Sequence, residues 1–131
     1  MQSYARAALS SVALVLLCAG VPPTRAGDAS TSGASGQAPF NNNCRTCHST
    51  KEGDNRLGPS LSNIVGAKAA ARSGYANYSQ AMRTAGITWD EQELDKYLAN
   101  PPADVHGTKM VISVPNAEDR QNVIAYLKTL K

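Results

Sequence analysis

Two cysteines and a histidine within five residues, Cys44-Arg45-Thr46-Cys47-His48, carry the most specific chemistry in this 131-residue chain. A Cys-x-x-Cys-His run has the spacing of covalent haem attachment. The two thiols add to the two vinyl groups of one porphyrin, and the adjacent imidazole reaches the iron from one face. The tethered ring then needs an apolar pocket and, for low-spin iron, a second axial ligand. The chain beyond residue 26 offers three candidates: Met110, Met82 and His106. Met82 falls on a short predicted helix, where methionine ordinarily packs. Met110 follows Gly107-Thr108-Lys109 in a stretch without helical period, and 62 residues separate it from His48, enough chain to pass round the ring edge. Met110 is therefore the first choice, with Met82 and His106 as alternatives, and His106 reads first as a solvent-facing loop residue.

A thioether favours ferrous over ferric iron, so His/Met ligation raises the reduction potential. With both axial positions filled, the remaining chemistry is one electron in and one electron out. That describes a carrier, not an enzyme. The alternative within haem chemistry is a catalytic or ligand-sensing protein with a displaceable sixth ligand. A thiol–disulfide oxidoreductase shares the Cys-x-x-Cys, but no alternating strand–helix pattern surrounds it. Zinc binding through Cys44, Cys47 and His48 lacks a fourth ligand and is cramped in so short a run.

The elements that must position these residues are helical. A first helix is expected over about 37–47, with Pro39 in its first turn and Phe40 one turn before Cys44 on the same face. From Ser49 to about Tyr78 the chain is rich in glycine and lacks helical period, so it reads as a long loop ordered by packing on the haem edge. Inside it, the Gly58-Pro59-Ser60-Leu61 turn offers a Pro59 carbonyl to the His48 ring nitrogen that does not face iron. A short helix from Ser79 to Ala85 closes at Gly86. Thr88-Trp89-Asp90-Glu91 reads as a capping box opening a helix to about Ala99, with Leu94, Tyr97 and Leu98 as its buried stripe and its acidic face left to solvent. Asn100-Pro101-Pro102 stops that helix, and no further helical pattern appears before Pro115. A last helix, about 117–130, starts at Asn116 and turns Val123, Ile124, Leu127 and Leu130 toward the first helix near Phe40.

The opening of the chain reads differently. Residues 1–26 hold a basic start, an apolar run from Ala7 to Val21, and small residues before Gly27, the layout of a secretory signal cleaved after Ala26. The run is shorter than the ~20 residues that span a bilayer, so no integral membrane segment is expected in the mature chain. Without residues 1–26 the chain loses Arg6, Arg25 and Cys18, and its formal charge falls from +3 to +1. Scattered lysines and arginines among acids leave no nucleic-acid footprint. The organisation expected is a signal at 1–26, a flexible leader at 27–35 and one all-α domain at 36–131.

The motifs together carry a resemblance. Gly36 and Phe40, the Cys44–His48 run, Gly58-Pro59-Ser60-Leu61, Gly86-Ile87-Thr88-Trp89, Tyr97-Leu98-Ala99-Asn100-Pro101, Gly107-Thr108-Lys109-Met110 and Ile124-Ala125-Tyr126-Leu127 occur in an order that resembles the short, mitochondrial and bacterial class I cytochromes c. The resemblance implies the fold of that family, with terminal helices crossing at Gly36, Phe40, Val123 and Tyr126 and loops wrapped around one covalent haem c. It implies Cys44 and Cys47 as thioethers, His48 and Met110 as axial ligands, and Pro59 as the acceptor that orients His48. Tyr78, Trp89 and Thr108 look like donors to the haem propionates, and Tyr97 would lie beside the Met110 sulfur. It further implies a monomeric carrier in the bacterial periplasm that docks transiently on redox proteins, such as a bc1-type donor, a terminal oxidase or a peroxidase. The chain departs from the pattern at His106, where the family often has proline, and it lacks a clear match to the family's arginine near the rear propionate, although Lys68 and Arg72 lie nearby. The front face also has fewer lysines than mitochondrial carriers, which implies weaker, less salt-dependent docking.

Overall fold

The computed structural model describes residues 28–131; the signal expected at 1–26 lies outside them. Five helices follow in order: α1 (Asp28–Asn43), α2 (Gln80–Thr84), α3 (Glu91–Ala99), α4 (Pro101–Asp104) and α5 (Ala117–Thr129). Among the described residues the only β pairing is an isolated bridge between Lys68 and Thr88. The architecture is the all-α one expected.

α1 departs from expectation at both ends. It begins at Asp28, so residues 28–35, expected as a flexible leader, are helical, and Pro39 lies well inside the helix rather than in its first turn. Proline there removes one intrahelical bond. The helix is held by tertiary packing rather than by propensity. Gly36 meets α5 so closely that a Cβ on it would lie 2.0 Å from the Asn122 carbonyl oxygen. One turn later Phe40, 2 % exposed, sets its ring 5.1 Å from that of Tyr126. The helix then ends at Asn43, not Cys47, and the motif continues as tight turns, with His48 N–H donating to the Cys44 carbonyl at 2.9 Å.

α3 is capped by Asp90, whose side chain accepts from Glu93 N–H at 2.8 Å, not by Thr88 as expected. Thr88 is occupied in the bridge to Lys68, and the neighbouring bonds Trp89 N–H to Ala67 O and Gly66 N–H to Trp89 O lock this strand-like crossing. Leu94, Tyr97 and Leu98 are buried, as their spacing predicts. The acidic face is not simply solvated: Glu91 meets Lys128 at 2.6 Å and Asp95 meets Arg120 at 2.8 Å, both on α5. A second correction follows α3. The stretch after Ala99, expected to be irregular, holds the single turn α4, with prolines at its first positions, where no N–H is needed, and Asn100 as its cap.

α5 starts at Asn116, whose side chain accepts from Asp119 N–H at 3.0 Å. It buries Val123, Ile124 and Leu127, while Leu130 is half-buried. Residues 49–79 form the long loop, and it is ordered: Asn63 N–H donates to the Leu130 carbonyl at 2.7 Å, and Ala69 N–H to Ile87 at 2.8 Å.

Candidate haem-binding site

A cavity of about 350 Å³ opens between the long loop, α2, α3 and the segment after α4. Cys44, Cys47, His48, Pro59, Tyr78, Trp89, Tyr97, Thr108 and Met110 all line it. Met82, the one buried residue of α2, lines it too and belongs to the core cluster. His106 is exposed and is not on its wall.

His48 is held on two sides. Its Nδ1 lies 2.7 Å from the Pro59 carbonyl oxygen, which can only accept, so the neutral ring carries its proton on Nδ1 and its lone pair on Nε2. A Cβ on Gly58 would fall 2.2 Å from His48 Cε1, so only glycine lets the turn close on the ring. Burial lowers the His48 pKa, and the Pro59 bond partly opposes this. The imidazole is thus kept neutral, the form that binds a metal.

Cys44 is buried and its thiol is pushed up to about 11, first by burial and then by the neighbouring Cys47. A redox-active Cys-x-x-Cys needs the opposite, a thiolate stabilised near neutral pH.

Elsewhere on the wall, Met110 N–H donates to Thr108 Oγ1 at 3.3 Å, and the Tyr97 and Thr108 hydroxyls are 2.7 Å apart. Trp89 and Tyr97 pack with ring centroids 4.9 Å apart. Lys109 Nζ donates to Asn77 O at 2.9 Å, tying this segment to the loop. Tyr78 stacks edge-on against Tyr75, whose hydroxyl donates to the Leu57 carbonyl, and Arg83 lies over the Tyr78 ring.

The cavity also holds a charge that sequence reasoning left unassigned. Arg72 lines it, and its Nε and Nη2 are buried without a hydrogen-bond partner. Two buried guanidinium nitrogens without partners call for an anion beside them. Apolar walls, a neutral imidazole, two thiols and these two free donors fit an anionic porphyrin. Around the mouth Leu57, Val111 and Ile112 are exposed, and the charged residues on the wall, Lys68, Arg72 and Lys109, are all basic.

The model of the Cytochrome c family matches residues 33–131. The chain belongs to the cytochrome c family. It is 50 % identical over 91 residues to cytochrome c2 of Rhodomicrobium vannielii, covering 66 % of this chain and 70 % of that protein. It is 40 % identical over 124 residues to cytochrome c-554 of Methylosinus trichosporium, covering 91 % and 92 %. Among solved structures, cytochrome cH from Methylobacterium extorquens superposes with a TM-score of 0.68 at 40 % identity, covering 74 % of this chain and 97 % of that one. The fold is therefore that of a class I cytochrome c, its cofactor one covalently bound haem c, and its role electron transfer rather than catalysis. Cys44 and Cys47, in the chain's single Cys-x-x-Cys-His run, are consistent with that covalent attachment.

Proposed function

We propose that this cytochrome c is a periplasmic one-electron carrier whose iron is held between His48 and Met110. The observation that carries the reading is convergence: residues 62 positions apart in the chain lie on the wall of one apolar cavity, each fixed by its own hydrogen bonds. When bound, haem c supplies a one-electron couple. The Pro59 carbonyl keeps the His48 ring in one tautomer, and Gly58 keeps its plane in place. Thr108 holds the Met110 backbone, and Tyr97 holds Thr108. Arg72 would supply positive charge, and Tyr78, Trp89 and Thr108 on the same cavity wall would supply donors, for the propionates. Trp89, Leu94, Leu98 and Val123 exclude water from the interior wall, which supports a high potential.

Docking takes place at the mouth, where exposed Leu57, Val111 and Ile112 meet basic side chains and no acidic residue lines the cavity. Such a face suits transient contact between a monomer and a redox protein, such as a bc1-type donor, a terminal oxidase or a peroxidase. Residues 1–26 direct export and are removed before Gly27. No helix among the described residues is long and apolar enough to cross a membrane.

The test is a reduced-minus-oxidised spectrum of the holoprotein with a potentiometric titration, repeated for Met110→Ala. Methionine ligation in the ferric wild type, lost in the variant with a fall in potential, is the expected result. Avid carbon monoxide binding by the reduced wild type at neutral pH would instead mark an open sixth position and a sensing or catalytic protein.

A further inference from the structure

Residues 103–114 run from Pro102 to Pro115 without a proline between them, and they carry Met110. Gly107 within this stretch adopts φ +91°, a backbone state that glycine takes without strain and that adds no stiffness. The segment is therefore positioned by its contacts. Its root is α4, a single turn that cannot hold itself.

At the last residue of α4, the Asp104 side chain is 3 % exposed, and Lys96 Nζ lies 2.6 Å from its Oδ1. The approach is that of a close, charge-assisted ion pair, and it holds the Lys96 ammonium in its charged form. Lys96 also stands 3.6 Å from Glu93 on its own helix, but that carboxylate is a third exposed. Removing the cation from a buried carboxylate leaves a charge that must reach water or be neutralised. Lys96 is itself 63 % exposed, so it stands between this carboxylate and solvent, and without it water enters at the root of the segment.

The pair lies one residue from Tyr97 on α3 and one from Val105 on the ligand segment. Val105 O accepts from Thr108 N–H at 2.9 Å, and Thr108 in turn bonds both Tyr97 and Met110. We propose that Lys96 and Asp104 are positioning residues that brace the root of the 105–110 segment and so set how firmly Met110 is held against the cavity. In support, burial pushes the Tyr97 hydroxyl pKa up, its bond to Thr108 pulls it down, and the Asp104 charge pushes it up again, which places that carboxylate within electrostatic reach of the Tyr97–Thr108 link. The inference rests on Met110 being the sixth ligand.

The experiment uses ferric holoprotein at neutral pH, with imidazole as the probe that competes with Met110 for the iron. Wild type must first show the charge-transfer band of methionine-ligated ferric haem; its absence sinks the ligand reading, and the brace with it. With the band present, Lys96→Met is expected to bind imidazole about tenfold tighter than wild type, because Met110 yields more readily. Lys96→Arg, which keeps the cation, is expected to stay close to wild type. Lys128→Met, which removes the exposed pair with Glu91 far from the segment, is the control for general loosening. Unchanged imidazole affinity in Lys96→Met, or an equal gain in Lys128→Met, overturns the brace while leaving Met110 as ligand.

Discussion

Gly58 faces the His48 ring at a distance no other residue could keep: a Cβ would stand 2.2 Å from Cε1 and 2.7 Å from Nδ1. The turn and the ring are one unit, since Pro59, the next residue, accepts from that same Nδ1. Gly58→Ala is expected to push the imidazole aside and break the Pro59 bond. Losses of about tenfold in affinity accompany such changes around a ligating histidine, so an added competing ligand should displace the imidazole from iron at about tenfold lower concentration while the thioethers keep the haem attached. Displacement at the wild-type concentration would contradict this account of the turn.

Arg72 should set part of the reduction potential. Its buried Nε and Nη2 lack protein partners, and a fixed positive charge beside the haem favours the reduced state. Arg72→Met is expected to lower the potential by about 60 mV, the equivalent of one tenfold step for a one-electron couple. Arg72→Lys should recover part of the shift. Redox titration of the three proteins checks it.

Gly36→Ala tests the helix crossing. In an exposed helix this change stabilises by ~1 kcal/mol. Here the new Cβ would meet the Asn122 backbone oxygen at 2.0 Å, and backbone cannot step aside as a side chain can. The expected sign is reversed, a loss of about 3 kcal/mol, as for overpacked cores. Denaturant unfolding of the holoprotein decides between the signs.

Tyr97 should shape the alkaline side of the stability profile. Burial raises its hydroxyl above the ordinary 10.0, outweighing the bond to Thr108. The unfolded chain then ionises first, so stability is full below pH 10 and falls as pH rises through and beyond that value. Tyr97→Phe removes this contribution, and its thermal midpoint should decline less steeply between pH 9 and 11 (about the accessible range). Identical slopes would show that Tyr97 ionises alike folded and unfolded.

Chain produced without haem should not fold cooperatively. An empty cavity of about 350 Å³ corresponds to a loss of up to about 8 kcal/mol at ~24 cal/mol per Å³. That is comparable to the whole stability of a domain this size, about 5–15 kcal/mol. Calorimetry of the haem-free chain is expected to show no sharp transition.

Much of the site is legible in the residues because its parts are local. The Cys44–His48 run, the Gly58-Pro59 turn and the Gly107–Met110 segment each announce themselves within five residues, and the stripes on α3 and α5 follow helical spacing. The reading goes astray where a distant partner decides. Thr88 has the right type to cap α3, but pairing with Lys68 draws it away and Asp90 takes the role. α1 runs through Pro39 and back to Asp28 with little amphipathic pattern to show it, because contact with α5 supports it. Arg72 and Asp104 look like ordinary surface charges until the loop and the two-proline corner at Pro101 and Pro102 turn them inward.

The bond from Asn63 to Leu130, with the contact of Gly36 on Asn122, joins stretches of chain that are synthesised far apart in time. No early fragment can therefore wall in its own thiols. Because the haem-free chain is not expected to close on its own, Cys44 and Cys47 stay within reach of a ligation apparatus even once residue 130 has emerged.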